Sequence, residues 1–498
     1  MIIHLLRPHL NILGIFGIGL SLGLMSTVAG AQNLHMNDLK LKADIDWLNA
    51  QGVTKISTST WPLTANEISR GISTANAQSQ AQQQVLQSVQ TRLDNNRESV
   101  VQAFGELSLQ TDRQQLSQTF ADDKLTGQQA MVGIALTERN WEANLQATVK
   151  NDELIDDDSD VSFEGSYLAG NYANQWLIAG KIPAWWGPGH DGSLIRGDAS
   201  IPVTGFTMQR DTQTAPTSRY LDWVGPWQYQ LFAGQLDDYD AVPDAKLFGA
   251  RLTASPWQWL ELGASRTFMW GGEGRPESFS SFGDALLGTR DNDSTAGNTD
   301  DDPANQLGGF DAKVQLSSLI NVPASVYAQY VGEDEAGGLP AKNMYLAGAD
   351  YASSYQGLPY QLYAEYADTR SSGDVKGVSY DHFLYTDGYY QQGYPLGYAL
   401  GGDAESVAVG GRLWLDGRNF IHAKLQHAKV NQSGELDSRT GEADNQAYPT
   451  TDKLTAVDVA WEHQLQPLTK VSTRLWAVDS DVESTDIGVG VGIELATY

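Results

Sequence analysis

No cysteine occurs anywhere in the 498 residues, so neither a disulfide framework nor a thiolate-ligated metal site can hold the fold. Positive charge is scarce as well: 32 Lys and Arg face 61 Asp and Glu, a formal charge of −29. That imbalance argues against nucleic acid as a partner and against simple attraction to anionic lipid, because both repel an acidic protein. Beyond residue 25 no stretch approaches the roughly 18 uninterrupted apolar residues that a membrane helix requires. Phosphate-binding glycine loops and zinc motifs are missing. The acidic runs Asp156-Asp157-Asp158 and Asp300-Asp301-Asp302 lack the spacing of an EF-hand. They read as solvated outer loops. No cofactor is expected, with Ca2+ bridging between acidic loops and an acidic polymer left open.

What is present begins with an export signal. Residues 1–31 have a weakly basic start (His4, Arg7, His9), an apolar run over 10–25 and the small-residue ending Ala29-Gly30-Ala31. This is the pattern of a cleaved secretory signal peptide, placing the mature N-terminus at Gln32. Residues 32–100 then read as a small helical bundle or plug. Leu41, Ile45 and Leu48 fall at helical spacing before Gly52, and Thr64-Ala-Asn-Glu67 has the form of a capping box. Val85, Leu86, Val89 and Leu93 form the stripe of a further amphipathic helix.

From residue 101 to 498 the pattern changes to short alternating segments. Trp141, Ala143, Leu145, Ala147 and Val149 share one face, and Glu142, Asn144, Gln146, Thr148 and Lys150 share the other. A period of two describes a strand. About eighteen such strands are expected, an even number as in single-chain bacterial barrels. Connections alternate in length. Tight ones fall at Arg139-Asn140, Ala173-Asn174, Gly225-Pro226, Ser255-Pro256 and four later turns, and long ones at 113–124, 151–160, 183–203, 238–244, 271–306, 332–341, 370–402 and 431–452. That parity predicts a mostly β, transmembrane antiparallel β-barrel with a small N-terminal α-helical periplasmic domain. The faces Thr455, Val457, Val459, Trp461 and Ile487, Val489, Val491, Ile493 are free of charge, as hydrocarbon demands and a soluble β-sandwich does not. Tyr498 ends the chain in an aromatic, though out of phase with that apolar face.

A barrel this wide is not filled by its own side chains, so either something occupies the lumen or a channel results. The loops predicted to face outside the cell carry aromatics beside arginines. Trp185, Trp186 and Arg196 lie in the first, with Arg210 in the next segment; Trp270 and Arg275 flank another; Tyr385, Tyr389 and Tyr390 belong to a Tyr-rich third, with Tyr380, Tyr394 and Tyr398. Sugar C–H faces stack on rings while hydroxyls take directional hydrogen bonds, so Trp185, Trp186, Arg196, Arg210, Trp270, Arg275, Tyr385, Tyr389 and Tyr390 are the candidate saccharide contacts. The competing reading is that the same rings pack loops against the barrel wall. His190, Asp191 and Ser193 lie close in sequence, which does not by itself assemble a nucleophile and base.

Several stretches carry a resemblance: Lys181-Ile-Pro-Ala-Trp-Trp-Gly-Pro-Gly189 with Gly192-Ser-Leu194, Asp302-Pro-Ala-Asn-Gln306, and Ala364-Glu-Tyr-Ala-Asp-Thr369. With the helical start and barrel-like remainder, the mature chain resembles the capsule assembly protein family Wzi. The resemblance implies an eighteen-stranded outer-membrane barrel, occluded by periplasmic helices and outer loops. It also implies a non-enzymatic lectin that retains capsular or extracellular polysaccharide at the cell surface. Outer-membrane lipid and lipopolysaccharide would surround it. A sugar-selective porin is the alternative.

Overall fold

The computed structural model describes residues 33–95, 101–112, 116, 120–121, 126–153, 155, 161–237, 239–287, 304–336, 339–371, 379–434, 443 and 445–497. The expected leader and both acidic runs lie outside them.

Strands β1 Val101–Gln110, β2 Thr126–Glu138, β3 Trp141–Glu153, β4 Tyr167–Tyr172, β5 Gln175–Lys181 and β6 Thr204–Arg210 begin the barrel. It continues through β7 Trp227–Gln235, β8 Lys246–Trp257, β9 Leu260–Trp270, β10 Ala304–Gln315, β11 Ala324–Ala336 and β12 Leu339–Tyr355. Strands β13 Leu358–Asp368, β14 Glu405–Trp414, β15 Asn419–Val430, β16 Asp452–Gln466, β17 Thr469–Ser480 and β18 Asp486–Ala496 complete it. Every neighbour pair is antiparallel and β18 pairs back with β1, closing an eighteen-stranded barrel. The pair Val161–Ser162 extends β4 along the same edge of β3. Closure leaves no unpaired edge, the condition for a sheet to cross hydrocarbon. No helix among the described residues is long and apolar enough to do so.

The alternation holds where it was read. Trp141 and Leu145 of β3 are exposed on the outer wall, while Glu142, Thr148 and Lys150 are buried inside. The parity also holds, with three adjustments. Between β6 and β7 the chain runs from 211 to 226 rather than turning tightly at Gly225-Pro226. Strand β8 continues through Ser255-Pro256 to Trp257 by a register shift after Ala254. Most of 332–341 is paired in the long hairpin of β11 and β12, so it is not a loop.

The helical region forms as its capping signals predict. Helix α1, Leu39–Ala50, starts where the Asp38 side chain accepts from the Leu41 amide, and α2, Ala65–Ile72, where Thr64 accepts from the Glu67 amide. The Glu67 carboxylate does not complete a capping box; it binds Arg70 and accepts from the Gln213 amide at 2.7 Å. Helix α3, Gln80–Asn95, buries Val85, Val89 and Leu93. These helices lie against the inner wall. The Trp47 indole donates to the Ser353 and Tyr360 carbonyls, Gln51 donates to Ala352, and Trp414 donates to Asp44 at 2.6 Å. Loop 183–203 also enters the lumen, pairing Trp185 and Trp186 with Trp61 and Thr60 in a two-residue ladder. Gly249 on the wall permits this: a Cβ there would stand 2.7 Å from the Trp186 ring.

Candidate functional site

Charged side chains fix the inserted elements to the wall. Asp46 on α1 is fully buried and accepts from Lys42 at 2.7 Å and from Lys313 of β10 at 3.3 Å. His190 of the inserted loop lies 3.7 Å from the same carboxylate. Its Nε2 meets Asp350 at 3.1 Å, and Arg412 donates to its Nδ1 at 3.2 Å. Burial, reinforced by the Lys42 charge, pushes His190 down to about 3, so the imidazole is neutral and acts as donor on one side and acceptor on the other. Asp191 is held by Lys424 at 2.7 Å, and Arg251 grips Asp311 and Thr60.

The aromatic residues singled out in the sequence stand mostly inside this packing. Trp185, Trp186, Tyr385, Tyr389 and Tyr390 are buried, with Arg196 among them. The Trp186 indole donates to Gln230, and the Arg196 guanidinium lies 4.2 Å over the Phe232 ring. The Tyr389 hydroxyl donates to the Ile195 carbonyl at 2.9 Å, while Tyr380 donates to Leu194, so the Tyr-rich loop is hydrogen-bonded onto the Trp-bearing one. Tyr385 reaches the Gly271 carbonyl with Arg275 5.9 Å over its ring, and the Tyr390 hydroxyl accepts from the Gly402 amide. Their ring faces are covered by protein, and that corrects the expectation of an exposed stacking platform. Arg210 is elsewhere, at the periplasmic end of β6, where it binds the Trp227 and Thr214 carbonyls. Trp270 faces outward at the opposite end of β9 and donates to Ser281. Ser193 donates to the Trp186 carbonyl at 2.7 Å rather than to His190, so these residues do not form a nucleophile and base.

Among the described residues, a chamber of about 460 Å³ lies between strands β1–β4 and the inserted segments. Its size falls in the range of small-ligand sites, about 300–1,000 Å³. The wall is the inward face of β3 (Glu142, Asn144, Gln146, Thr148, Lys150) with Gln129 of β2 and Glu106 of β1. Met36, Asn37 and residues 198–202 close the opposite side, and Phe104, Tyr167 and Tyr394 contribute rings. Parts of the lining are already oriented. Glu142 accepts from Tyr167 and from the Asn33 amide, Asp198 accepts from Asn37 at 2.9 Å, and Asn144 donates to Gln146 and to the Gly165 carbonyl. Amides, carboxylates and rings along one polar wall can take sugar hydroxyls and C–H faces together. The sequence shows this wall as the polar face of β3, and the fold adds that the face lines a chamber shared with Met36, Asn37 and residues 198–202. Among the described residues no group of three or more His, Asp or Glu is placed to hold a metal ion.

Comparison with known proteins fits this architecture. The family model described as capsule assembly protein Wzi matches residues 93–486. A Klebsiella pneumoniae protein described as an uncharacterized 55.8 kDa protein in the cps region is 40% identical over 484 residues, 96% of this chain and 93% of its own. The solved structure of Escherichia coli Wzi is 38% identical and superposes with a TM-score of 0.84, covering 93% of this chain and 99% of that one. It is described as an outer membrane protein involved in group 1 capsule assembly and a carbohydrate-binding β-barrel. With its family model, close relative and barrel in agreement, the chain belongs to the Wzi family of capsule assembly proteins.

Proposed function

We propose that this outer-membrane barrel is a non-enzymatic lectin that binds capsular or extracellular polysaccharide and helps retain it at the cell surface, with the chamber beside β3 as its saccharide site. One observation carries the reading: among the described residues, helices and loops pack into the lumen and a chamber lined by amides, carboxylates and rings lies beside β3. The likeness to the carbohydrate-binding Escherichia coli barrel supports it. The helices packed on the inner wall favour a lectin over a sugar-selective porin.

The test is binding of fluorescent capsular polysaccharide to the full-length protein in detergent. Replacing Gln129 and Gln146 by Leu removes hydrogen bonds worth about 0.5–1.5 kcal/mol each, so affinity falls roughly tenfold. Unchanged affinity in a folded double variant places the saccharide elsewhere, and no binding by the wild type refutes the lectin.

A further inference from the structure

Between β9 and β10 the chain forms helix α4, Phe279–Leu287, and this helix lies outside the barrel. Alternation along the wall fixes the side. Leu252, Leu262 and Phe310 of β8, β9 and β10 are exposed on the outer surface, and Phe248, Phe268 and Ala304 continue the same rows towards the outer end. Yet Phe268 is 5% and Ala304 0% exposed, because α4 covers them with Phe282 and Ala285. Phe282 packs 5.1 Å from Phe248 and 5.3 Å from Trp270.

The helix is clamped at both ends. Trp270 donates to Ser281, and the Ser278 hydroxyl accepts from the Ser281 amide at 3.0 Å. At the C-terminal end, Arg266 of β9 donates to the Leu286 carbonyl at 2.7 Å and the Ala285 carbonyl at 3.1 Å. A cation thus satisfies carbonyls that the helix itself cannot.

One stripe of the free side of α4 is apolar, beside Ser280 and Asp284. Phe279, Gly283, Leu286 and Leu287 follow helical spacing on one stripe. Phe279 is 99% exposed, Leu287 70% and Leu286 51%, and nothing lies within 4 Å of the position a Gly283 Cβ would take. Three large apolar side chains on a nine-residue helix are costly in water. The depth of the helix resolves the conflict. The eleven residues of β9, tilted as barrel strands are, rise about 25 Å, the height of the apolar band of an outer-membrane barrel. Trp270 then sits in the outer aromatic girdle and α4 beside it, level with the outer leaflet.

We propose that α4 is a lateral anchor whose exposed stripe, Phe279, Leu286 and Leu287, contacts the acyl chains of the outer leaflet. On the outward rows below it, Arg266 and Gln306 bond to each other, Arg266 caps the helix C-terminus, and the apolar rows resume at Leu262 and Phe310, so the anchor ties the β9–β10 connection to the membrane plane. This inference does not rest on the saccharide site.

The absence of cysteine makes the test clean. Single variants Phe279→Cys and Leu286→Cys carry a nitroxide in the full-length barrel reconstituted into phosphatidylethanolamine–phosphatidylglycerol vesicles. Leu252→Cys serves as bilayer reference and Asp481→Cys as water reference, each checked for folding by heat-modifiable mobility. The expected result is a ratio of oxygen to nickel-chelate collisions at 279 and 286 that matches position 252 and is several-fold above position 481. A ratio matching position 481 overturns the anchor. So does protection that appears only when capsular polysaccharide is added, which makes the stripe a sugar surface, or spin–spin broadening, which makes it a contact between two copies.

Discussion

Asp46→Asn is expected to loosen the inserted helices without unfolding the barrel. The carboxylate receives Lys42 at 2.7 Å, Lys313 at 3.3 Å and the Thr58 hydroxyl, all out of solvent. Burial works to raise the Asp46 carboxyl, but the Lys313 and Lys42 charges outweigh it and hold the group well below 3.8. At an effective dielectric constant near 20, each cation gains about 5 kcal/mol from the carboxylate, most of it offset by desolvation. Neutralising the acid leaves both ammonium groups buried without that partner, a cost of about 3–5 kcal/mol. Lys42 travels with the helix while Lys313 stays on the wall, so the helix can escape much of this cost by leaving. A change of about 4 kcal/mol shifts the ratio of docked to undocked helix by nearly three decades. In planar bilayers the wild type should be almost silent, and Asp46→Asn should open frequently and expose residues 39–95 to protease. Adding Lys313→Met removes the stranded cation and should restore much of the closed state. If Asp46→Asn channels stay closed and protease-resistant, this ion cluster is not what retains the helices. The sign of the acid response follows: a depressed carboxyl contributes fully above 3.8, and its contribution is lost as pH falls through the lower folded value.

His190 predicts a second, separate acid window. Buried neutral with its value near 3 against 6.5, it contributes fully above 6.5 and loses about 1.4 kcal/mol per pH unit as acid pulls the proton onto the undocked form. Conductance should therefore rise between about pH 6 and 4, and His190→Gln should flatten that rise; identical profiles for both proteins refute the assignment. Tyr389→Phe removes the hydroxyl that joins the two outer loops and leaves the Ile195 carbonyl without its tyrosine donor, a loss of about 1 kcal/mol. It should raise protease cleavage in loop 379–404 while leaving polysaccharide affinity within a factor of two or so, and a large affinity loss would return Tyr389 to the binding site. Ser193→Ala should leave polysaccharide chain length and binding unchanged on incubation, since the hydroxyl is committed to the Trp186 carbonyl.

The wall of this molecule was legible and its contents were not, for definite reasons. A strand in a closed barrel has two faces with different solvents, so Trp141 to Lys150 declares its orientation residue by residue. Trp185, Trp186 and the tyrosines declare only their chemistry. A ring that binds sugar and a ring whose hydroxyl caps a neighbouring loop look alike until the acceptor, such as the Ile195 carbonyl, is located. Helix α1 hid its role because it is buried from Leu41 to Ala50 in a polar lumen, where Lys42, Asp44 and Asp46 are core residues. An apolar stripe is the signal only when the core is apolar. Proline misled at Pro256, where the strand passes on by slipping register. Helix α4 was available in the spacing of Phe279, Phe282, Ala285 and Leu286, but the neighbouring acidic and glycine-rich composition marked the whole segment as loop.

The division of charge inside the barrel gives the strongest reason to place the ligand beside β3. Where the wall meets inserted protein it presents charges that find opposite charges: Lys313 with Asp46, Lys424 with Asp191, and Arg251 with Asp311 supporting Thr60. Charges of that kind, buried without partners, would cost several kcal/mol each, so a wall carrying them is committed to a protein filling. The chamber wall is mixed, with neutral groups set among carboxylates. Gln129, Asn144, Gln146 and Thr148 supply amides and a hydroxyl, and Lys150 is paired with Glu153 at 2.9 Å. Neutral donors and acceptors exchange water for sugar hydroxyls at little cost, while Glu106, Glu142, Glu164 and Asp198 on the same lining can accept from hydroxyls and favour a neutral stretch of polymer over an acidic one.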